Sequence, residues 1–145
     1  MRVILQRVAS ASVSVDGQIV GQIGQGLFAL VGVSSRSTAQ DANWLAAKTA
    51  DLRIFADEEG RMNRSVREIG GAVLAVSQFT LYGDVRKGRR PSFAKAADPE
   101  HARRLYDMYC ASVPVVVERG IFAAYMRINA QADGPVTIVL DREGS

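Results

Sequence analysis

Three segments of the chain gather side chains able to bind or polarise a substrate. The first is Ser77-Gln78-Phe79-Thr80-Leu81, which follows the apolar run Val73-Leu74-Ala75-Val76. Two hydroxyls and an amide cluster there, at the point where a strand would leave the core. Strand alternation would put Gln78 and Thr80 on one face, and Ser77 and Phe79 on the other. Such groups can hydrogen-bond a substrate, or they can bond the local backbone as a strand becomes a loop. The second segment is Asp133-Gly134-Pro135-Val136-Thr137. It reads as a turn before a last strand, and its Gly-Pro bond is of the one type that readily adopts either isomer. The third spans 86–95, where Arg86, Lys87, Arg89, Arg90 and Lys95 lie with no acid among them, beside Phe93. Gly88 and Pro91 make this stretch a loop, and it is either a solvated charged face or a loop that contacts phosphates.

Other chemistries are disfavoured by what the sequence lacks. A single His, His101, and a single Cys, Cys110, are too few soft ligands for a zinc site. Without a second His, neither a Ser-His-Asp triad nor a Cys-His pair is attractive. His101 falls in the first turn of an expected helix beside Glu100, Arg103 and Arg104, and reads as an exposed residue. Cys110 lies near the end of the same helix and reads as half-buried. The glycines between 21 and 26 follow a strand but do not open a helix, so a dinucleotide-binding or P-loop reading fails on context. An enzyme built on this sequence is expected to work with no metal or cofactor and with no covalent nucleophile.

The elements that must position these groups follow from patterning. Residues 2–8 and 10–15 read as strands, and Asp16-Gly17 supplies the positive φ that a tight hairpin needs. The return strand covers about 18–23. Leu27 to Val33 is apolar enough for a strand covered on both faces. Thr38 caps a helix over 39–52 with Asp41 three residues on, and Leu45, Thr49 and Leu52 share one face. Residues 56–70 form a short hairpin or loop, and 73–79 a buried strand. Asp98 caps a second helix to about 112, with Pro99 at its first position. Strands over 114–118, 123–131 and 136–141 complete the chain. Strands in runs with two main helices predict an α+β fold, a largely antiparallel barrel-like sheet.

The 145 residues suffice for one domain, 1–145, with a real core. Their 48% hydrophobic and 23% charged content is that of a soluble globular protein. A net charge of +3 permits a nucleic-acid partner without requiring one. No signal peptide is expected before the first strand, and no apolar run reaches the roughly 18 residues of a membrane span. One cysteine without a partner suits a reducing cytoplasm.

Taken in order, Ser77-Gln78-Phe79-Thr80-Leu81 and Asp133-Gly134-Pro135-Val136-Thr137 resemble the two signature motifs of the D-aminoacyl-tRNA deacylases. Gln6-Arg7-Val8, Arg61-Met62-Asn63 and Arg90-Pro91-Ser92-Phe93 resemble that family too, so the similarity runs from residue 1 to about 141. The resemblance implies a cytoplasmic homodimer joined through its active-site region, hydrolysing the ester of a D-amino acid, and of glycine, on tRNA. Ser77, Gln78, Phe79 and Thr80 would form the ester site. Gly134 and Pro135, in the cis form and held by Arg7, would enter the partner's site as a gate against L-aminoacyl esters. The terminal adenosine would lie against residues 77–81, and Arg86, Lys87, Arg89 and Arg90 would hold tRNA phosphates.

The family usually has Asn before the second motif, and this chain has Ala132. Two alternatives stay open: a nucleic-acid-binding protein that does not hydrolyse, and a sister deacylase whose trans Gly-Pro bond relaxes chirality.

Overall fold

A computed structural model describes residues 1–144. Its first element is the long strand β1, Arg2–Val15, which turns through Asp16 and Gly17 into β2, Gln18–Ile23. Both turn residues have positive φ, 50° and 79°, as expected for the hairpin. The two segments read separately as 2–8 and 10–15 are one strand. It continues because one flank changes partner: residues 2–8 pair with β3, Gly26–Gly32, and residues 11–15 with β2. Apart from the half-buried Leu30, every residue of β3 is buried.

After β3 the chain forms the helix α1, Ala39–Asp51. Thr38 and Asp41 make the anticipated capping box, which satisfies two otherwise orphaned backbone donors. A small hairpin follows, with β4 at Phe55–Ala56 and β5 at Met62–Arg64. Strand β6, Ala72–Ser77, pairs parallel to β3. The helix α2, Pro99–Ser112, starts at Asp98, whose side chain accepts from the N–H of His101. Strand β7, Val117–Arg119, then adds in parallel to β6.

Two expectations near the chain end are corrected. The strands anticipated over 123–131 and 136–141 are a single strand β8, Arg127–Asp141, running antiparallel to β1 on its other flank. Residues 121–124 form a turn instead of a strand start, with a backbone bond from Ala124 to Ile121 and a positive φ of 65° at Ala123. His101 is not an exposed bystander: it is half-buried, with Nε2 2.9 Å from the carbonyl oxygen of Ser37 and Nδ1 3.0 Å from Nη2 of Arg104. Cys110 is buried outright.

All three β1 pairings are antiparallel, whereas β3–β6 and β6–β7 are parallel. The sheet curls until β2 approaches β7, where a Cβ on Gly21 would lie 2.7 Å from the carbonyl oxygen of Arg119. The result is a nearly closed barrel-like sheet with two helices. One core lies between sheet and helices, around Leu5, Leu27, Leu45, Leu105, Tyr106 and Tyr109. A second fills the concave side with Val8, Val13, Ile23, Phe28, Leu74 and Val76. Both cores anchor β6, and the first motif sits at its end. Among the described residues no helix is long and apolar enough to cross a membrane.

Candidate active site

Strand β6 does not run on to Phe79. It stops at Ser77, and Phe79–Tyr82 form a single 3-10 turn. The alternation expected for residues 77–80 therefore fails, because a helical turn rotates successive side chains by far less than a strand does. The turn is fixed at its entry by a bond from the Gln78 N–H to the carbonyl of Val31, 2.8 Å. It closes with Leu81 N–H to Gln78 and Gly83 N–H to the Thr80 carbonyl, 3.3 and 3.0 Å. The Gln78 side chain donates to the Thr80 hydroxyl, so these two groups do act together. The N–H groups of Phe79 and Thr80 open the turn and have no carbonyl behind them within it.

Beside the turn lies a cavity of about 540 Å³. Ser77, Gln78 and Phe79 line one wall, Tyr106 and Phe122 another, and Met126 a third. Its walls are apolar apart from Ser77, Gln78 and the phenols of Tyr125 and Tyr106, the latter with its hydroxyl engaged with the carbonyl of Ala75 at 2.9 Å. Burial raises the Tyr106 phenol well above its ordinary range, so it stays protonated and is no base. An apolar receptacle with a few fixed polar groups at its mouth is the usual form of a small-molecule site. Sequence reading missed the far wall, residues 122–126, because those residues carry no pattern beyond apolarity and were read as part of a strand.

The second motif is not a turn before a strand. In the β1–β8 ladder Gln6 faces Thr137 and Val8 faces Ala132, so Asp133 to Val136 bulge out of β8 opposite Arg7 alone. The Gly134–Pro135 bond is cis and Gly134 has φ of 122°. Arg7 Nε donates to the Asp133 carbonyl at 3.1 Å and Nη1 to that of Ile54 at 2.7 Å. A Cβ on Gly134 would meet Arg7 Nη2 at 3.0 Å. Arg7, Gly134 and Pro135 are thus brought together. They are not brought to Ser77–Thr80 of the same chain: none of them lines the cavity.

The chain matches the model of the D-Tyr-tRNA(Tyr) deacylase family over residues 4–141. It belongs to that family. Its similarity to curated D-aminoacyl-tRNA deacylases is 52% identity to that of Exiguobacterium sibiricum, across 98% of this chain and 100% of the relative. It is 56% identical to that of Thermomicrobium roseum, across 97% and 94%. Among solved structures, a c-Myc DNA unwinding element binding protein superposes with a TM-score of 0.92 at 37% identity, over 98% of this chain and 99% of that one. A probable eukaryotic D-amino acid tRNA deacylase shares the fold with a TM-score of 0.83 at 20% identity, over 97% and 98%.

The third segment meets the 3-10 turn through Phe93, whose ring centroid lies 5.0 Å from that of Phe79. Asp84 and Ser92 exchange two backbone bonds, 2.7 and 2.9 Å, and close a loop with Gly88 at φ of 64°. Arg86 binds Asp84 through a 2.7 Å ion pair, with its side chain still largely exposed. The Arg86 guanidinium keeps the Asp84 carboxyl well below the usual carboxylate range. Lys87, Arg89 and Arg90 are exposed, and no hydrogen bond or ion pair engages them among the described residues.

Proposed function

We propose that this protein hydrolyses the ester of D-aminoacyl-tRNA, releasing tRNA and the free D-amino acid, and that it also accepts glycyl-tRNA. The observation that carries this reading is the Gln78–Thr80 turn at the rim of the cavity. An apolar recess sits there beside the N–H groups of Phe79 and Thr80, which no backbone bond among the described residues engages. The terminal base of the tRNA enters the recess, and the ester carbonyl meets the N–H groups of Phe79 and Thr80. As the tetrahedral intermediate forms, its oxyanion is stabilised by those donors, each worth roughly 10²–10³ in rate in comparable sites. Water attacks the carbonyl, and the adjacent ribose 2′-OH, able to donate and accept a proton, assists in place of a protein base. Thr80, with Gln78 donating to its hydroxyl, orients the ester and is not a nucleophile.

Chirality is enforced by exclusion. Two copies of the chain pair so that Gly134 and Pro135 of one enter the cavity mouth of the other. Two support this arrangement in the structure: the bulge stands outside its own cavity, and Gly134 and Pro135 are exposed. Main-chain carbonyls at that point crowd an L side chain while leaving a hydrogen or a D side chain free, a rejection rather than a recognition. Lys87, Arg89 and Arg90 hold tRNA phosphates in the cytoplasm, where charged tRNA is made. Parallel assays of D- and L-tyrosyl-tRNA test the whole reading. Cleavage of the D ester alone is expected, and no cleavage of the D ester would overturn it.

A second reading, binding without hydrolysis, draws on one solved relative being named for binding a DNA unwinding element. That reading requires Thr80→Ala and Pro135→Ala to leave hydrolysis of the D ester at background, as in the unmutated protein. Equal cleavage of the D and L esters would instead favour a deacylase of relaxed chirality.

A further inference from the structure

Phe93 sits at the joint between the basic loop and the catalytic turn, and it touches the turn at both ends. Its ring packs edge-on to Phe79, with centroids 5.0 Å apart and planes at 69°. A Cβ on Gly83, the residue that ends the turn, would lie 3.1 Å from Cε1 of Phe93. Phe79 lines the cavity and Phe93 does not, so Phe93 supports Phe79 from outside the cavity lining. Just before it, Ser92 is locked to Asp84 by two backbone bonds. Just after it, the chain is tied to the segment leaving β3 through Ser35 N–H to Lys95 at 3.0 Å and Ala97 N–H to Val33 at 3.0 Å. The free excursion is residues 85–91, and those residues carry Lys87, Arg89 and Arg90.

We propose that Phe93 is a positioning residue which couples phosphate binding on the basic loop to the geometry of the Phe79–Thr80 turn. The proposal rests on the hydrolase reading above and deepens it. A phosphate held by the loop cations fixes the loop, and the rigid Asp84–Ser92 closure passes that constraint to the next residue, Phe93. An edge-to-face aromatic pair is directional, so the Phe93 ring sets the tilt of Phe79 and with it the donors at the start of the turn. Binding energy from a remote part of the substrate is thereby used at the reacting centre. Long tRNA substrates should then react faster than short ones through kcat as well as through KM.

The test compares D-tyrosyl-tRNA with the D-tyrosyl ester of adenosine, which carries the terminal nucleoside and no acceptor stem. The unmutated protein is expected to turn over the tRNA ester with the higher kcat. Phe93→Ala should shrink the kcat ratio of the two substrates at least tenfold, with the salt dependence of tRNA binding kept because the cations remain. Phe93→Tyr, which retains the ring edge, should restore most of the ratio. Phe93→Leu, which retains bulk alone, should not, and its thermal unfolding controls for misfolding. A parallel fall on both substrates, or an unchanged ratio in both Ala and Leu variants, would overturn the coupling and leave the hydrolase reading standing. An unmutated protein that cleaves neither ester would overturn both.

Discussion

Arg7 on β1 donates from Nε to the main-chain carbonyl of Asp133 at 3.1 Å, across the one place where β8 leaves its ladder. The same guanidinium reaches the carbonyl of Ile54 at 2.7 Å, and its side chain is only 15% exposed. A planar fork can serve two carbonyls at once, whereas a lysine ammonium on a flexible stem cannot hold both in fixed directions. Arg7→Lys should therefore loosen the Gly134–Pro135 bulge more than it unfolds the protein. We expect D-ester hydrolysis to fall tenfold or more, with a loss of about 1–2 kcal/mol in stability. An active Arg7→Lys protein with unaltered chirality would count against a gate held by Arg7.

Gly26 opens β3 against β6 so closely that a Cβ there would lie 1.9 Å from the carbonyl oxygen of Ala72. The obstacle is backbone in a parallel ladder and cannot swing aside. Gly26→Ala should cost about 4 kcal/mol or more, visible as insoluble expression or as lost circular dichroism at ambient temperature. Gly24 has open space where its Cβ would be, so Gly24→Ala is the matched control and should fold.

Much of this was legible beforehand, and the misses have physical causes. The capped helices, the Asp16-Gly17 hairpin and the buried β3 follow from local rules, because caps, positive φ and all-apolar runs act within a few residues. The segment Ser77–Thr80 reads as a strand running to Phe79 but is a strand end followed by a 3-10 turn, since where the chain leaves β6 is set by contacts to Val31 and Gly32. Asp133-Gly134-Pro135 has turn composition, yet β1 is long enough to pair on both sides of it and makes it a bulge instead. The cavity wall at 122–126 depends on which segments meet in space, and nothing local to those residues announces it. The pairing of Arg86 with Asp84, two residues away in the chain, is by contrast a local contact that the charge pattern alone could have suggested.

Lys87, Arg89 and Arg90 are exposed and unpaired among the described residues, unlike Arg86. If they bind phosphates, their joint replacement by alanine should flatten the plot of log affinity for tRNA against log salt by about 2–3. Replacing Arg86 alone should do much less. A slope that does not change on removing all three would place the phosphate contacts elsewhere. None of these side chains supports the core, so thermal stability should move by roughly 0.5 kcal/mol or less.

Burial pushes the Cys110 thiol up from its ordinary value near 9 to about 11. A thiol that stays neutral is a poor nucleophile, so a disulfide reagent at pH 8 should label the protein only in denaturant. The linkage has a definite sign. The folded pKa is the higher one, so the unfolded chain releases this proton first. The contribution to stability is then full below about pH 9 and is lost as pH rises towards 11. Tyr106 and Tyr109 are raised by burial in the same direction and steepen the alkaline fall. Melting temperature followed from pH 8 to 11 should decline throughout that upper range, and a flat profile would contradict the burial argument.

Thr80 offers the sharpest separation of mechanisms. Its hydroxyl accepts from Gln78, it is exposed beside the cavity-lining Phe79, and the chain's single histidine, His101, is engaged with Ser37 and Arg104. A nucleophilic Thr80 would form an ester with the D-amino acid, and Thr80→Ala would abolish turnover to background. An orienting Thr80 leaves the backbone donors and the substrate's own 2′-OH in place. Thr80→Ala should then retain a measurable rate, lowered roughly 10²-fold, within the range seen when one stabilising donor is removed. Thr80→Ser should recover most of it. Rapid quenching during turnover, followed by intact-mass measurement, should detect no aminoacylated protein. A covalent adduct on the unmutated chain that disappears in Thr80→Ala would reverse the assignment and make Thr80 the attacking group.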